Sequence, residues 1–422
     1  MRVLVLGGGG REHALCWALE RSASVDAVLC TPGNAGISEV AELRAVDPTD
    51  ADAVVALARD ERCNLVVVGP EAPLVAGVAD ALGAAGVPVF GPTAAAARIE
   101  GSKSFAKDVM AAACVPTGAY WSGTDAAAAR RALDRFTAPY VVKADGLAAG
   151  KGVRICADRA EAEAAVDAAL VDGAFGEAGA RLVIEEFLHG PEISVFAVCG
   201  QGSAHPLAEA QDFKRALDGD EGLNTGGMGA YSPVPAWSQE LLAEVGEDVF
   251  GATLAELDRR GCPYTGVLYA GLVLTAEGPK VLEFNARFGD PETQVLLPRF
   301  EGDLGLLLAA CAGAVDSPGR WAWSPRACVT VVLAAGGYPG TYETGKPITG
   351  LEEAAALPDT LVFHAGTRRD GDDVVTAGGR VLAVSGLGDT IDRARAAAYA
   401  GADAIGFDGL HRRNDIAANP TR

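Results

Sequence analysis

Four apolar runs in the first hundred residues constrain this chain most: Val3–Leu6, Ala27–Cys30, Leu65–Val68 and Val87–Phe90. Each has strand length and ends in glycine or a turn, at Gly7, Thr31-Pro32-Gly33, Gly69-Pro70 and Gly91-Pro92. Alanine-rich stretches of helical length separate them. Strands that are apolar on both faces need cover on both faces, so this pattern predicts a parallel sheet with helices above and below. Ligands of such sheets bind outside the carboxyl ends of the strands, where these glycine loops lie. Any single loop of this kind could equally serve only to shape a turn.

The texture changes after Gly101. Runs at Tyr140–Lys143, Leu182–Ile184, Ile193–Val198, Leu268–Leu274 and Lys280–Phe284 read as neighbouring strands with short connections. A third segment opens at Cys328–Leu333 and continues through Leu361–Phe363, Val381–Val384 and a helix near Thr390–Ala400. The expected division is 1–101, 102–325 and 326–422, within what 422 residues can supply in separate cores. The 35 basic residues stand against 56 acidic ones, a net charge of −21, which disfavours a nucleic-acid grip or an anionic membrane surface. A phosphate-bearing substrate must therefore be held by a few local donors. No window of about 18 apolar residues predicts a membrane span, and the N-terminus lacks the pattern of a signal peptide. Nine scattered cysteines, none in a C-x-x-C pair, read as reduced thiols of a cytoplasmic protein rather than a disulfide or zinc framework.

Only seven of the basic residues are lysine: Lys103, Lys107, Lys143, Lys151, Lys214, Lys280 and Lys346. In a chain that otherwise prefers Arg, lysine marks places that need a compact ammonium on a flexible stem. Lys143 and Lys151 bracket the small-residue loop Ala144–Gly150 after an apolar strand. Glycines let backbone N–H groups approach phosphate oxygens, and the ammoniums neutralise the charge. Lys151 is followed by Gly152, so the P-loop pattern fails, and the loop reads as a mobile phosphate cover in a hairpin.

Glu283-Phe284-Asn285 ends another apolar strand, and the period of two puts Glu283 and Asn285 on one face. A carboxylate beside an amide oxygen suits Mg²⁺ bridging substrate phosphates, although a lone E-x-N also fits a solvated strand end. The continuation Arg287-Phe288-Gly289-Asp290-Pro291-Glu292-Thr293-Gln294 concentrates charge and amides beyond the needs of a plain loop. In Val183–Leu188 an apolar strand meets Glu185, Glu186 and Phe187, then a turn before Glu192. Such a segment can hold an adenine edge and ribose hydroxyls, or be an ordinary hairpin tip. The five histidines lack metal-ligand spacing and read as structural.

Taken together with Gly7–Ala14, Pro32–Gly36, Gly69–Leu74, Glu100–Lys103 and Asn224–Pro233, these segments resemble the ATP-grasp superfamily. Within it they resemble the glycinamide ribonucleotide synthetase family, over nearly the whole chain and in unbroken order. The resemblance implies an α/β protein with an N-terminal parallel-sheet domain, a central ATP-grasp domain with a mobile lid at about 117–190, and a small C-terminal α+β domain. It implies ATP-dependent ligation of glycine to 5-phosphoribosylamine through glycyl phosphate, with Mg²⁺ or Mn²⁺ as cofactor.

Carried to matching positions, the resemblance puts Lys103, Lys143, Gly150, Lys151 and Gly152 on the nucleotide's phosphates. Glu185, Glu186 and Phe187 would lie at the adenine, Glu192 at the ribose, and Glu283 and Asn285 on the metal. Arg287, with Lys143 and Lys151, would carry the catalytic charge neutralisation. Asp212, Lys214, Asn224, Thr225, Gly226, Gly227, Met228 and Gly229 would line the acceptor pocket with Asp290 and Pro291. Gly10, Arg11, Glu12, Asn34 and Glu71 would hold phosphoribosylamine. The implied partners are these small molecules alone, for a monomer that meets the upstream amidotransferase only transiently.

Three features depart from the family pattern. Gly8 stands where the pattern has Asn, Tyr269–Val273 offers no second metal carboxylate, and His411–Ile416 carries an extra residue that suggests a shifted or frayed end. A dinucleotide-binding regulator is the rival from another class. It fails because G-x-G-x-x-G would need glycine where Glu12 stands. A sister ATP-grasp ligase or carboxylase would share Lys143, Lys151, Glu283 and Asn285 but need not share Asn224–Gly229 or Arg287–Gln294.

Overall fold

The computed structural model describes residues 1–146 and 152–420. The N-terminal runs form a five-stranded sheet. In spatial order its strands are Glu42–Leu43, Ala27–Pro32, Arg2–Gly7, Leu65–Val68 and Val89–Phe90, all parallel. The predicted strands are all present, and the short edge strand Glu42–Leu43 is the addition, polar at one of its two residues and therefore invisible as an apolar run. The alternation along Arg2–Gly7 sorts side chains between two cores. Leu4 and Leu6 pack with Ile99, Val109 and Met110, while Val3 and Val5 pack with Leu15, Leu19 and Leu308. Each of these buried side chains contributes roughly 1.5–3 kcal/mol relative to exposure. Strand order reverses direction at Arg2–Gly7, so its carboxyl end and that of Leu65–Val68 flank the crevice where such sheets bind ligands.

The central region holds a four-stranded antiparallel sheet in the order Tyr120–Gly123, Leu182–Glu186, Tyr140–Ala144, Val153–Cys156. This sheet has its own small core of Tyr140, Val142, Leu182 and Ile184 against Ala162, Val166 and Ala169 of the helix Arg159–Leu170. The strands Tyr140–Ala144 and Val153–Cys156 pair as the predicted hairpin, with Lys143 opposite Val153.

An eight-stranded sheet joins the second and third segments. Its order is Gly278–Asn285, Gly266–Thr275, Glu192–Gly200, Ser203–Asp212, Gly229–Ser232, Ala327–Ala334, Arg380–Gly388 and Thr360–His364. The seam is the antiparallel pairing of Gly229–Ser232 with Val331–Cys328. The third segment is therefore hydrogen-bonded to the second along a strand. The fold class is that of the sequence reading: mixed α/β with a parallel N-terminal sheet.

Candidate active site

A cavity of about 410 Å³ opens where the N-terminal sheet, the four-stranded sheet and the edge of the eight-stranded sheet meet. Its lining includes Glu71, Glu100, Lys103, Lys107, Glu185, Glu283, Asn285 and Arg287. The helix Lys103–Ala112 is capped by Ser102, whose hydroxyl accepts from the Phe105 N–H at 3.2 Å. Lys103 and Lys107, one helical turn apart, therefore face the same space. The Lys103 ammonium donates to the Gly146 carbonyl at 3.3 Å. Burial pulls its pKa down more than Glu283 raises it.

Glu283 and Asn285 both reach the cavity, as the period of two requires. The register slips between Gly271 and Leu272, so the bulge frees the Leu282 carbonyl, 3.5 Å from Lys143 Nζ. Burial drives the Glu283 carboxyl upward, but Lys214, Lys143, Lys103 and Arg287 outweigh it and keep the carboxylate below its ordinary range. Among the described residues no cluster of three His, Cys, Asp or Glu is placed to hold a metal. A hard carboxylate and an amide oxygen fit a divalent ion only if phosphate oxygens complete its shell, which is the chemistry of a nucleotide-bridging site.

Arg287 crosses between segments. Its guanidinium lies 3.5 Å from Glu71 in the helix that follows the strand Leu65–Val68, 3.3 Å from Glu100 and 3.5 Å from the Asn285 amide oxygen. Burial opposes its charge, but Glu100 and Glu71 more than compensate and raise its pKa. Glu185 forms ion pairs with two lysines, Lys107 at 2.9 Å and Lys143 at 3.1 Å. Lys107 is a site residue that the sequence reading noted only as a lysine.

Other expected residues are placed elsewhere. Arg11 and Glu12 pair with each other, and Arg11 donates to the Phe288 carbonyl at 3.0 Å. Glu12 accepts from the Gly9 N–H at 2.6 Å. The Asn34 amide donates to the carbonyls of Gly8 and His364, so it ties loops together. Gly10 packs against Gln294, and a Cβ at Gly8 would lie 2.5 Å from the Gly33 carbonyl, which accounts for glycine there in this chain. Glu186 accepts from the Ala119 N–H at 2.9 Å, and Phe187 lies edge-on to His189. Glu192 and Lys214 form an ion pair at 2.7 Å. Gly150 and Lys151 lie outside the described residues, whereas Gly152 lines the cavity.

The loop Asn224–Gly229 meets Asp290 and Pro291 through Arg380, which no sequence signal marked. Its guanidinium donates to the carbonyls of Gly226 and of Asp290, the latter at 2.6 Å. Gly227 has φ +110°, and a Cβ there would lie 2.4 Å from Pro291 Cδ, so only glycine permits this approach. The Thr225 hydroxyl donates to the Lys214 carbonyl, and Met228 is fully buried. Glu292, also buried, accepts from the Tyr269 hydroxyl at 2.8 Å. Tyr269 thus occupies, with a phenol, the strand that lacks a second metal carboxylate.

The stretch His411–Ile416 is packed rather than frayed. Arg413 is 1 % exposed and Ile416 is fully buried, so the extra residue is accommodated within a packed end. His13 accepts from the His364 N–H at 2.8 Å, which makes it a structural link between the first and third segments.

Family profiles match in series: "Phosphoribosylglycinamide synthetase, N domain" over 1–100, "ATP-grasp (A) domain" over 101–293 and "C domain" over 328–419. The chain is 56 % identical over 421 residues to phosphoribosylamine–glycine ligase of Streptomyces coelicolor, covering 99 % of each. It is 50 % identical over 418 residues to the protein of that name from Caulobacter vibrioides, covering 99 % of this chain and 97 % of the relative. A crystal structure of phosphoribosylamine–glycine ligase from Thermotoga maritima superposes with TM-score 0.85 at 34 % identity, covering 99 % of this chain and all of that one. A biotin carboxylase domain from Hydrogenobacter thermophilus, at 17 % identity and TM-score 0.73, shares the fold. The chain belongs to the phosphoribosylglycinamide synthetase family.

Proposed function

We propose that the chain joins glycine to 5-phosphoribosylamine at the expense of ATP, giving glycinamide ribonucleotide, ADP and phosphate. The glycine carboxylate attacks the γ-phosphorus and releases ADP, and the amine then attacks the acyl carbon of glycyl phosphate and expels phosphate. The observation that carries this reading is the convergence of Lys103, Glu283, Asn285 and Arg287 on one cavity beside Glu71. Phosphoryl transfer of this kind needs positioning and charge neutralisation rather than a protein nucleophile.

In this reading Lys103, Lys143 and Lys151 neutralise the nucleotide's phosphates, with Gly150 and Gly152 beside them and the lid at about 117–190 closing over them. Glu186 and Phe187 flank the adenine beside Glu185, and Glu192 takes the ribose. Glu283 and Asn285 would hold Mg²⁺ or Mn²⁺, which when bound offsets charge on the transferring phosphate. Arg287 sits where the acyl phosphate forms. The acceptor side is Asp212, Lys214 and Asn224–Gly229, with Asp290 and Pro291, facing the N-terminal loops at Gly10, Arg11, Glu12, Asn34 and Glu71. Domain limits of 1–101, 102–325 and 326–422 accompany it. So does a cytoplasmic monomer that takes its labile amine from the upstream amidotransferase in a transient encounter. No helix among the described residues is long and apolar enough to cross a membrane.

The test is ADP release with ATP, Mg²⁺ and glycine, with phosphoribosylamine generated in place from ribose 5-phosphate and ammonia, and mass spectrometry of the amide. ADP and amide should form only with glycine and the sugar amine together. ADP formed with alanine, serine or another amine instead would move the assignment to a sister ligase, and no ADP with any pair would overturn it.

A further inference from the structure

We propose that Lys107 is a positioning residue that keeps Glu185 neutralised, so that Lys143 is free to move onto the nucleotide's phosphates. The inference rests on reading Lys143 as a phosphate contact. It adds a division of labour between two lysines that share one carboxylate.

The side chains of Lys107, Glu185 and Lys143 are 2 %, 3 % and 7 % exposed. Glu185 Oε2 lies 2.9 Å from Lys107 Nζ, and Oε1 lies 3.1 Å from Lys143 Nζ. Two ammoniums on one carboxylate leave a net positive charge in a place sheltered from water. Which ammonium is available is settled by the remaining contacts. Lys107 also donates to the Thr117 hydroxyl at 2.7 Å, and that hydroxyl donates to the Val281 carbonyl at 2.6 Å. The Pro116 carbonyl accepts from the Val281 N–H at 2.8 Å, so this anchor belongs to the backbone of the cavity wall. Among the described residues, the one hydrogen bond of the Lys143 ammonium is the long contact to the Leu282 carbonyl at 3.5 Å, with the Glu283 carboxylate acting on it through charge.

A polyphosphate entering the cavity competes with Glu185 for Lys143. Withdrawing the sole partner of a buried carboxylate is strongly unfavourable and would hold Lys143 back. With Lys107 anchored on the other oxygen, Glu185 stays paired when Lys143 leaves. Lys107 thus acts through Glu185 and Lys143 without needing to touch the nucleotide.

The test is calorimetric titration with ADP and, separately, with adenosine, whose affinity ratio isolates the contribution of the phosphates. Lys107→Met should lower that ratio about tenfold or more, because Glu185 then retains Lys143, with a much smaller effect on adenosine than on ADP. Lys107→Arg keeps a cation on Glu185 and should recover most of the ratio. The double variant Lys107→Met/Glu185→Gln removes both the demand and its answer and should return the ratio to within about threefold of the unsubstituted protein. A merely structural role would weaken adenosine and ADP alike, and the second substitution would not rescue it. An unchanged ratio in Lys107→Met, or a double variant as poor as the single, would overturn the proposal. Glu185→Gln alone supplies a check independent of the Lys107 variants, since it should keep or raise the ratio, and a fall would count against the idea. Lys143→Met separates the two readings. If it lowers the ratio while Lys107→Met does not, the positioning role alone fails. If Lys143→Met leaves the ratio intact, the phosphate assignment of Lys143 fails as well.

Discussion

Arg413 and Asp415 form a two-pronged ion pair: Nε donates to Oδ1 and Nη2 to Oδ2, each at 2.7 Å. The same guanidinium reaches Asp220 at 2.7 Å and the Arg215 carbonyl at 3.2 Å, and Asp415 accepts from the Gly219 N–H. The C-terminal segment thereby clamps the ribbon Arg215–Asn224, which runs directly into the loop proposed to line the acceptor pocket. Arg413→Ala leaves these carbonyl and carboxylate acceptors without their buried donor. It should lower stability by about 2 kcal/mol, discounted because Asp220 is largely exposed. Urea unfolding checks the stability. Steady-state kinetics should show a raised KM for the sugar amine with the KM for ATP unchanged. An unaltered midpoint and KM would remove the clamp from the argument.

Glu283→Gln keeps the side chain's size and strand position but removes a carboxylate held ionised by the surrounding cations. If this residue shares a divalent ion with the nucleotide, turnover should fall by at least about 100-fold, with circular dichroism unchanged. Near-normal ADP release over a magnesium titration would withdraw the metal assignment.

Asp212 offers a case in which stability and activity should move in opposite directions. Burial pushes its carboxyl up to about 7, with Glu292 and Glu192 adding to the rise and Lys214 opposing it. The folded chain therefore holds this proton at pH values where the unfolded chain has lost it, and stability from this group is lost as pH rises through about 7. Asp212→Asn should unfold at a higher temperature than the parent at pH 8, by a margin that shrinks toward pH 5 and closes near pH 4. If the carboxylate serves the acceptor amine, the parent's rate should climb through pH 7 and the variant should lose that limb. Equal unfolding temperatures at pH 8 would show that the buried charge carries no such cost.

Much of this architecture was legible because it rests on local pattern. The parallel sheet was written in runs such as Leu65–Val68, which are apolar on both faces, and the shared face of Glu283 and Asn285 followed from strand periodicity. What could not be read was pairing over long separations. Arg380 lies 90 residues from Asp290 and 154 from Gly226, and nothing in its surroundings in sequence distinguishes it from other arginines. Arg11, Glu12 and Asn34 stand in a glycine loop of the kind that holds phosphates, yet their side chains are engaged in holding one another, Phe288 and His364. A motif reports which residues gather, and only the fold reports which of them are already occupied. The same limit applies to the shared carboxylate. Lys107 was visible only as one of seven lysines, and its competition with Lys143 for Glu185 arises only when a helix and two strands meet.

The link between His13 and His364 predicts the protein's response to acid. His13 accepts the His364 N–H, so it must stay neutral at Nδ1, and burial lowers its pKa to about 3, with His364 contributing. Burial likewise lowers His364 to about 4, with Arg369 contributing. Unfolded imidazoles take up protons below about pH 6.5. Between about 6.5 and 4 the unfolded chain binds more protons than the folded one, so stability falls as pH falls, by up to about 1.4 kcal/mol per pH unit for each histidine. His13→Asn offers an amide oxygen to the same N–H but has nothing to titrate. Its stability at pH 7 should be lower than the parent's, because the ring's contact with Phe363 is lost. The gap should narrow steadily toward pH 5, with Asp212 titrating alike in both proteins. Urea midpoints at pH 7, 6 and 5 make the comparison, and parallel pH slopes in the two proteins would show that His13 is not the group whose neutrality joins the first segment to the third.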